Sequence, residues 1–237
     1  HRQDVGDREG PPSDRRGLSQ IKHIEGFYNV IDWVRDRHPG TVLECCASGG
    51  RRIDLETARR FHTFWISDYT IAPEIIRFHL QGINHFLPGN YHYVCYTLPV
   101  AEQKEFQPTN LDYLSFFGGA FGTGGRIDLW PEEQKRKFIR FNDLYKKTRS
   151  YLMRDYYPLL PQSKDLESWN ALQFHDPESN AGFVEVFGGR DKSGSRKIVL
   201  LGLNVKYVYE FDSPLTGNKL RVSGKSAMEE GISFKWP

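Results

Sequence analysis

Cysteine is scarce in this sequence, and neither sign of charge is in excess. Among 237 residues there are 3 cysteines, and Lys+Arg 32 against Asp+Glu 30 leave a formal charge of +2. Three cysteines, two of them neighbours at Cys45 and Cys46, do not make a disulfide framework. No Cys-x2-Cys pair offers zinc its usual spacing. So even a charge balance gives no basic footprint for nucleic acid. No apolar run approaches the roughly 18 residues of a membrane span. Gly118, Gly119, Gly122, Gly124 and Gly125 are followed by no Gly-Lys-Ser/Thr, and their spacing is not a dinucleotide fingerprint. Ser48 lacks the Gly-x-Ser-x-Gly frame of a hydrolase elbow. The opening His1-Arg2-Gln3-Asp4-Val5 has no initiator Met, charged n-region or apolar h-region. It reads as cut from something longer, which leaves any signal peptide, and the compartment, unknown.

What is present is a globular composition, 38% hydrophobic and 26% charged, with Gly 22 and Pro 13. That excludes a coiled coil, a collagen-like chain and an acidic tail. Residues 1–15 read as loop. From Ser19, Ile21, Ile24, Tyr28, Ile31 and Val34 recur at helical spacing until His38-Pro39-Gly40 stops them. Thr41 to Cys45 reads as a buried strand, Leu55 to Phe61 as a short helix, and Phe64-Trp65-Ile66 as a strand closed by Ser67-Asp68. Pro73 stands at a helix start. Asn84 to Leu87 is expected as the next strand, and Phe121 to Leu129 as another. Pro131 to about Met153 is the clearest helix, with Glu132 and Glu133 at its positive end. Short strands alternating with helices predict βα units around a parallel sheet.

Past Tyr156-Tyr157-Pro158 the pattern changes. Runs at 182–187, 197–201, 206–211, 219–222 and 231–235 read as short strands separated by turns such as Thr216-Gly217-Asn218 and Ser223-Gly224. The expected architecture is therefore α/β: a partial (β/α)8 TIM barrel, later strands only, over residues 1–157. A small antiparallel β-sandwich domain over 158–237 follows it. A whole barrel takes roughly 250 residues, so the 237 here, shared with a β domain, suffice for only its later part.

In barrels of this type catalysis gathers at the C-terminal ends of the strands. Asp68 directly follows the strand 64–67, and Asp4 precedes the first complete unit. Glu44-Cys45-Cys46-Ala47-Ser48-Gly49-Gly50-Arg51-Arg52-Ile53-Asp54 lies at the strand end between them. Two carboxylates facing one cavity beside an indole suit glycoside cleavage. The competing reading makes Asp68 a cap of the next helix or loop and Asp4 a solvated loop acid. Arg51, Arg52 and Asp54 read as a local ion-pair and capping group ahead of substrate ligands.

The block 43–56 resembles the Cys-x-x-Gly-Gly-x-Arg-x-Asp segment of glycoside hydrolase family 36, the α-galactosidase family. Trp65-Ile66-Ser67-Asp68 is similar to the family's Trp-x-Ser-Asp, and Arg2-Gln3-Asp4-Val5-Gly6 to its Lys/Arg-x-Asp-x-Asn. Asp14-Arg15-Arg16-Gly17 and His23 to Tyr28 follow in the family's order. The resemblance implies a retaining exo-α-glycosidase acting on terminal α-galactosides, in oligosaccharides or glycoconjugates, without metal or organic cofactor. It implies no nucleic-acid or membrane partner and leaves room for a homo-oligomer. Asp4 would be the nucleophile, and Asp68 the acid/base that starts protonated. Cys46 would touch the sugar's O2, with Ser48 in the same loop and Arg2 on sugar hydroxyls. Arg52 is a further substrate-binding candidate, and Trp65 is a candidate wall for the pyranose. The chain departs from the pattern at Gly6, where the family has Asn, and at Ile71, where it has a second acid. Ser48 stands where many members have Gly. An α-N-acetylgalactosaminidase and a non-catalytic carbohydrate-binding remnant therefore stay open as alternatives.

Overall fold

A computed structural model describes residues 17–69, 72–96, 107–163, 165, 168–188 and 194–235. Two compact units result, one ending at Asp68 and one beginning at Tyr69. In the first, helix α1 spans Leu18–Arg37; Gly17 (φ 83°) precedes it, and its C-cap His38 returns an N–H to Val34. Arg35 and Arg37 occupy its negative end, where cations are favoured. Strand β1, Glu44–Cys45, pairs in parallel with β2, Thr63–Trp65, in the register Glu44↔Thr63 and Cys45↔Phe64. Between them α2, Leu55–Ala58, is capped by Asp54, whose carboxylate accepts from the Thr57 N–H at 2.8 Å and the Thr57 hydroxyl at 3.0 Å. The capping role read for Asp54 is thus seen. The buried Arg60 fastens α1 to α2: it donates to Asp32 at 3.1 Å and to Glu56 at 2.6 Å, and stacks on the Tyr28 ring at 4.2 Å. Burying a guanidinium is tolerable only with partners of this kind.

The second unit opens with α3, Pro73–Ile83, with proline at its first turn. The strand expected over 84–87 is not there. Asn84 is buried instead, and its amide donates to the Leu80 carbonyl at 2.8 Å and the Gly118 carbonyl at 2.9 Å. Its side chain closes the helix, and the following residues turn. The strand comes later, as β3, His92–Tyr96, parallel to β4, Ala120–Thr123. The run expected over 121–129 stops at Thr123, and Ile127–Leu129 form a 3-10 turn. Helix α4, Asn110–Leu114, starts in a capping box of Thr109 and Asp112. Helix α5, Glu132–Thr148, tightens into 3-10 geometry over Arg149–Met153. Tyr113 stacks on Phe141 at 5.0 Å within an aromatic cluster that includes Phe117, Tyr145 and Phe174.

The antiparallel part begins with β5, Asp155–Pro158, followed by β6, Asn170–Asp176, and β7, Ala181–Phe187, in one sheet. Strand β8, Ser195–Ile198, pairs with β11, Ile232–Lys235; β9, Val208–Asp212, pairs with β10, Lys219–Ser223. The turn expected at Ser223-Gly224 is instead the start of α6, Gly224–Glu229, because the Ser223 hydroxyl caps the Ser226 N–H at 3.0 Å. Ala171, Ile198, Leu200, Ala227 and Ile232 form the core between these sheets. The expected α/β chain with an antiparallel continuation is what the structure shows. No helix among the described residues is long and apolar enough to cross a membrane.

Polar groups join α3 to the antiparallel sheet. Gln81 donates to the Leu160 carbonyl at 2.5 Å, and its backbone carbonyl accepts from the Tyr156 hydroxyl at 2.9 Å. Arg77 donates to Ser115 at 2.7 Å and lies over the Phe187 ring at 4.7 Å. Beside it, burial pushes the Glu185 carboxyl up to about 8, with the Arg77 charge offsetting only part of this. At the other extreme, burial holds His92 down to about 4, although its ring bonds the Leu87 carbonyl at 3.0 Å.

Both groups couple stability to pH. A carboxyl raised in the folded state contributes fully below its unfolded value, and the contribution is lost as pH rises toward 8. A depressed histidine costs stability as pH falls from its unfolded value toward 4. In denaturant titrations, Glu185→Gln should gain on the wild type as pH rises from 5 to 8, by on the order of a few kcal/mol. A difference that stays flat over that interval would refute the assignment.

Candidate functional site

The first unit gathers the candidate residues around the ends of its two parallel strands. Leaving β1, the chain turns through Ser48 (φ 47°), Gly49 (φ 71°) and Gly50 (φ 90°), three left-handed residues in succession. Such backbone is nearly free for glycine and strained for other residues. A contact explains the glycines. A Cβ on Gly49 would lie 2.8 Å from the Asp68 backbone nitrogen and 3.3 Å from its carboxyl carbon; one on Gly50 would lie 2.8 Å from the Ile66 carbonyl oxygen. The turn rests directly on the backbone that leaves β2, and no side chain fits between.

At that strand end the Trp65 indole Nε1–H donates to Asp68 Oδ1 at 2.9 Å. Asp68 itself is exposed, and Trp65 is half-buried. The helix after it has Ala72 as N-cap, with no side-chain cap. Phe64, Ile66 and Ser67 are buried around the strand, which fixes the backbone from which Trp65 and Asp68 project.

The rest of the block divides. Cys45 is buried and Cys46 exposed, and burial pushes the Cys45 thiol up, partly opposed by Arg52. Cys46 and Ser48 both face solvent on the turn. Arg52 lies over the Phe27 ring at 5.1 Å, a cation–π contact rather than the ion pair considered from sequence. His62 accepts the Leu43 N–H at 3.0 Å. Asp4, Arg2, Gly6 and Ile71 lie outside the described residues. The structure therefore brings Cys46, Ser48, Trp65 and Asp68 to one end of the β1–β2 pair. Sequence reasoning missed the part played by Gly49, whose only local signal is the Gly-Gly pair, and the indole–carboxylate bond, whose only signal is the spacing of Trp65 and Asp68. Among the described residues no group of three His, Cys, Asp or Glu side chains is placed to hold a metal ion.

Comparison with known proteins points the same way. The family model described as Melibiase matches residues 3–155. An α-galactosidase of Escherichia coli is 44% identical over 62 residues, 26% of this chain and 9% of that protein. A probable α-galactosidase C of Aspergillus flavus is 27% identical over 224 residues, 91% of this chain and 28% of its own length. A family 36 α-galactosidase variant of Geobacillus stearothermophilus, crystallised with raffinose, superposes with a TM-score of 0.79 at 18% identity. It covers 97% of this chain and 31% of that one. The shared fold is the later part of a (β/α)8 barrel with its antiparallel continuation. The chain thus spans less than a third of the length of these relatives.

The glycine turn predicts its own test. Gly49→Ala should destabilise the chain by about 1–3 kcal/mol, read from chemical unfolding. Gly26→Ala, in α1 with nothing within 4 Å of the added atom, should instead be neutral or stabilising. Equal effects of the two would contradict the close packing of the turn on Asp68.

Proposed function

The chain belongs to the melibiase family, the family 36 α-galactosidases, and from that membership we propose that it supplies the catalytic carboxylates of a retaining exo-α-galactosidase. Residues 1–157 would carry the chemistry and 158–237 the supporting β domain. The observation that carries the reading is Asp68: it sits at the C-terminal end of β2, exposed, with its carboxylate aimed by Trp65. Barrel enzymes place their reacting groups at such strand ends.

In the proposed cycle the Asp4 carboxylate attacks the anomeric carbon of a terminal α-galactoside, of which raffinose, bound by the Geobacillus relative, is an example. Asp68 gives its proton to the departing oxygen. Water then displaces Asp4 while Asp68 takes the water's proton, and configuration is retained. Such a double displacement needs carboxyls about 5–5.5 Å apart. Cys46 and Ser48, exposed on the turn beside Asp68, are the proposed contacts near the sugar's O2. Ser48 in place of the glycine common in the family narrows that side against a 2-acetamido group, which favours galactose over N-acetylgalactosamine. Arg2 would bind sugar hydroxyls. Arg52, engaged on Phe27, is a support of the turn before it is a ligand.

The experiment is Asp68→Ala in the full-length protein. Turnover of oligosaccharides with poor leaving groups should fall by roughly 10²–10⁴-fold. An activated aryl α-galactoside should be spared and accelerated by azide. Unchanged oligosaccharide hydrolysis would remove Asp68 from the chemistry and favour a carbohydrate-binding protein without activity.

A further inference from the structure

The hydrogen bond between Trp65 and Asp68 does more than hold the acid in place. An indole N–H only donates, so the carboxyl oxygen facing it must accept, whether the group is charged or neutral. The carbonyl oxygen is the stronger acceptor, so the indole favours a proton on the other oxygen. Rotation about Cβ–Cγ exchanges the names of the two oxygens but not their roles. Gly49 restricts the alternatives, since the turn lies so close that even a Cβ would stand 3.3 Å from the carboxyl carbon. The strand beneath is fixed by buried Phe64 and Ile66, and Trp65 and Asp68 both project from its end.

We propose that Trp65 is the positioning residue of the acid/base: by occupying Oδ1 at 2.9 Å it favours Oδ2 as the oxygen that carries the proton. The inference rests on the reading of Asp68 as acid/base. As the bond from the anomeric carbon to the leaving oxygen breaks, its electron pair stays with that oxygen. The proton on Oδ2 goes to the same oxygen while Asp4 forms the new bond to carbon. In the second half, water's oxygen bonds to that carbon, its proton passes to Oδ2, and the pair of the breaking ester bond returns to Asp4. The indole keeps its hydrogen throughout. Its part is to orient the acid.

Two variants of the intact enzyme separate this from a packing role. Trp65→Phe removes the donor, and β-(3-benzothienyl)alanine at position 65 removes it while keeping the size of the indole. Both should lower kcat/KM on raffinose by roughly 10- to 100-fold. Neither should change an activated aryl α-galactoside by more than about threefold, because a good leaving group needs little proton transfer. Trp65→His, which restores a ring N–H, should recover part of the loss. If the benzothienyl protein hydrolyses raffinose like the wild type, or loses both substrates equally, the positioning role is wrong. Asp68→Ala measured beside them keeps the two questions apart. Leaving-group dependence there without any in the position-65 variants overturns only the role of Trp65. Its absence in Asp68→Ala overturns the acid/base reading itself.

Discussion

The geometry of the candidate site depends on the approach of one backbone to another. The turn after β1 packs so tightly on the chain leaving β2 that the positions of Gly49 and Gly50 have no room for a side chain. Parallel pairing of β1 and β2 fixes the two strand ends side by side, and the left-handed run from Ser48 to Gly50 folds the loop down onto Ser67-Asp68. Cys46, Ser48 and Asp68 are brought to one place by this contact, although the sequence separates them. Ser48 adopts that backbone without being glycine, a strain of about 1–3 kcal/mol. Backbone strain of this kind persists where the surroundings over-determine it, and here Gly49 and Gly50 on either side of the contact do so.

The second unit answers a different constraint. Its α3 helix meets the antiparallel sheet through Gln81, Arg77 and Tyr156 as well as through apolar packing. Buried amides and guanidinium groups of this sort are favourable only while every partner is present. Glu185 departs from this, a buried carboxyl with one oxygen that finds no hydrogen bond, as do Asn170 Oδ1 and the His175 ring among the described residues. Burial outweighs the opposing Arg77 charge and holds the Glu185 carboxyl well above the usual carboxylate range. Stability in this unit is thus coupled to pH by buried groups of its own.

Much of this was legible in the residues. Helix α1 lies within one or two residues of its expected bounds. Helices α3 and α5 start at or next to their expected prolines, although α5 gives way to 3-10 geometry at Arg149, short of the expected end near Met153. The Cys-x-x-Gly-Gly-x-Arg-x-Asp block announced both the family and the place of the turn. Other elements were hidden by their chemistry. Strand β6 carries Gln173, His175 and Asp176 in buried positions, so no alternation marks it. Gln173 is buried because it bonds both ways with the Leu201 backbone, at 2.6 and 3.1 Å, a partner no local pattern predicts. Asn84 ends α3 through its amide and displaced the expected strand. In the site, the glycines were visible but not their reason, which lies in a contact distant in sequence. The Trp65 indole was singled out as a candidate wall for the sugar, but nothing local shows where its N–H points.

The proposed pair of Asp4 and Asp68 in a retaining α-galactosidase is tested most directly by trapping the sugar on the enzyme. A 2-deoxy-2-fluoro-α-galactosyl fluoride slows release of the sugar–enzyme ester, so that it can be digested and located by mass spectrometry. One fluorogalactosyl group per active site is expected, on the peptide containing Asp4, lost on turnover with an acceptor sugar. Stable labelling of another carboxylate, or active turnover with no covalent label, would contradict it.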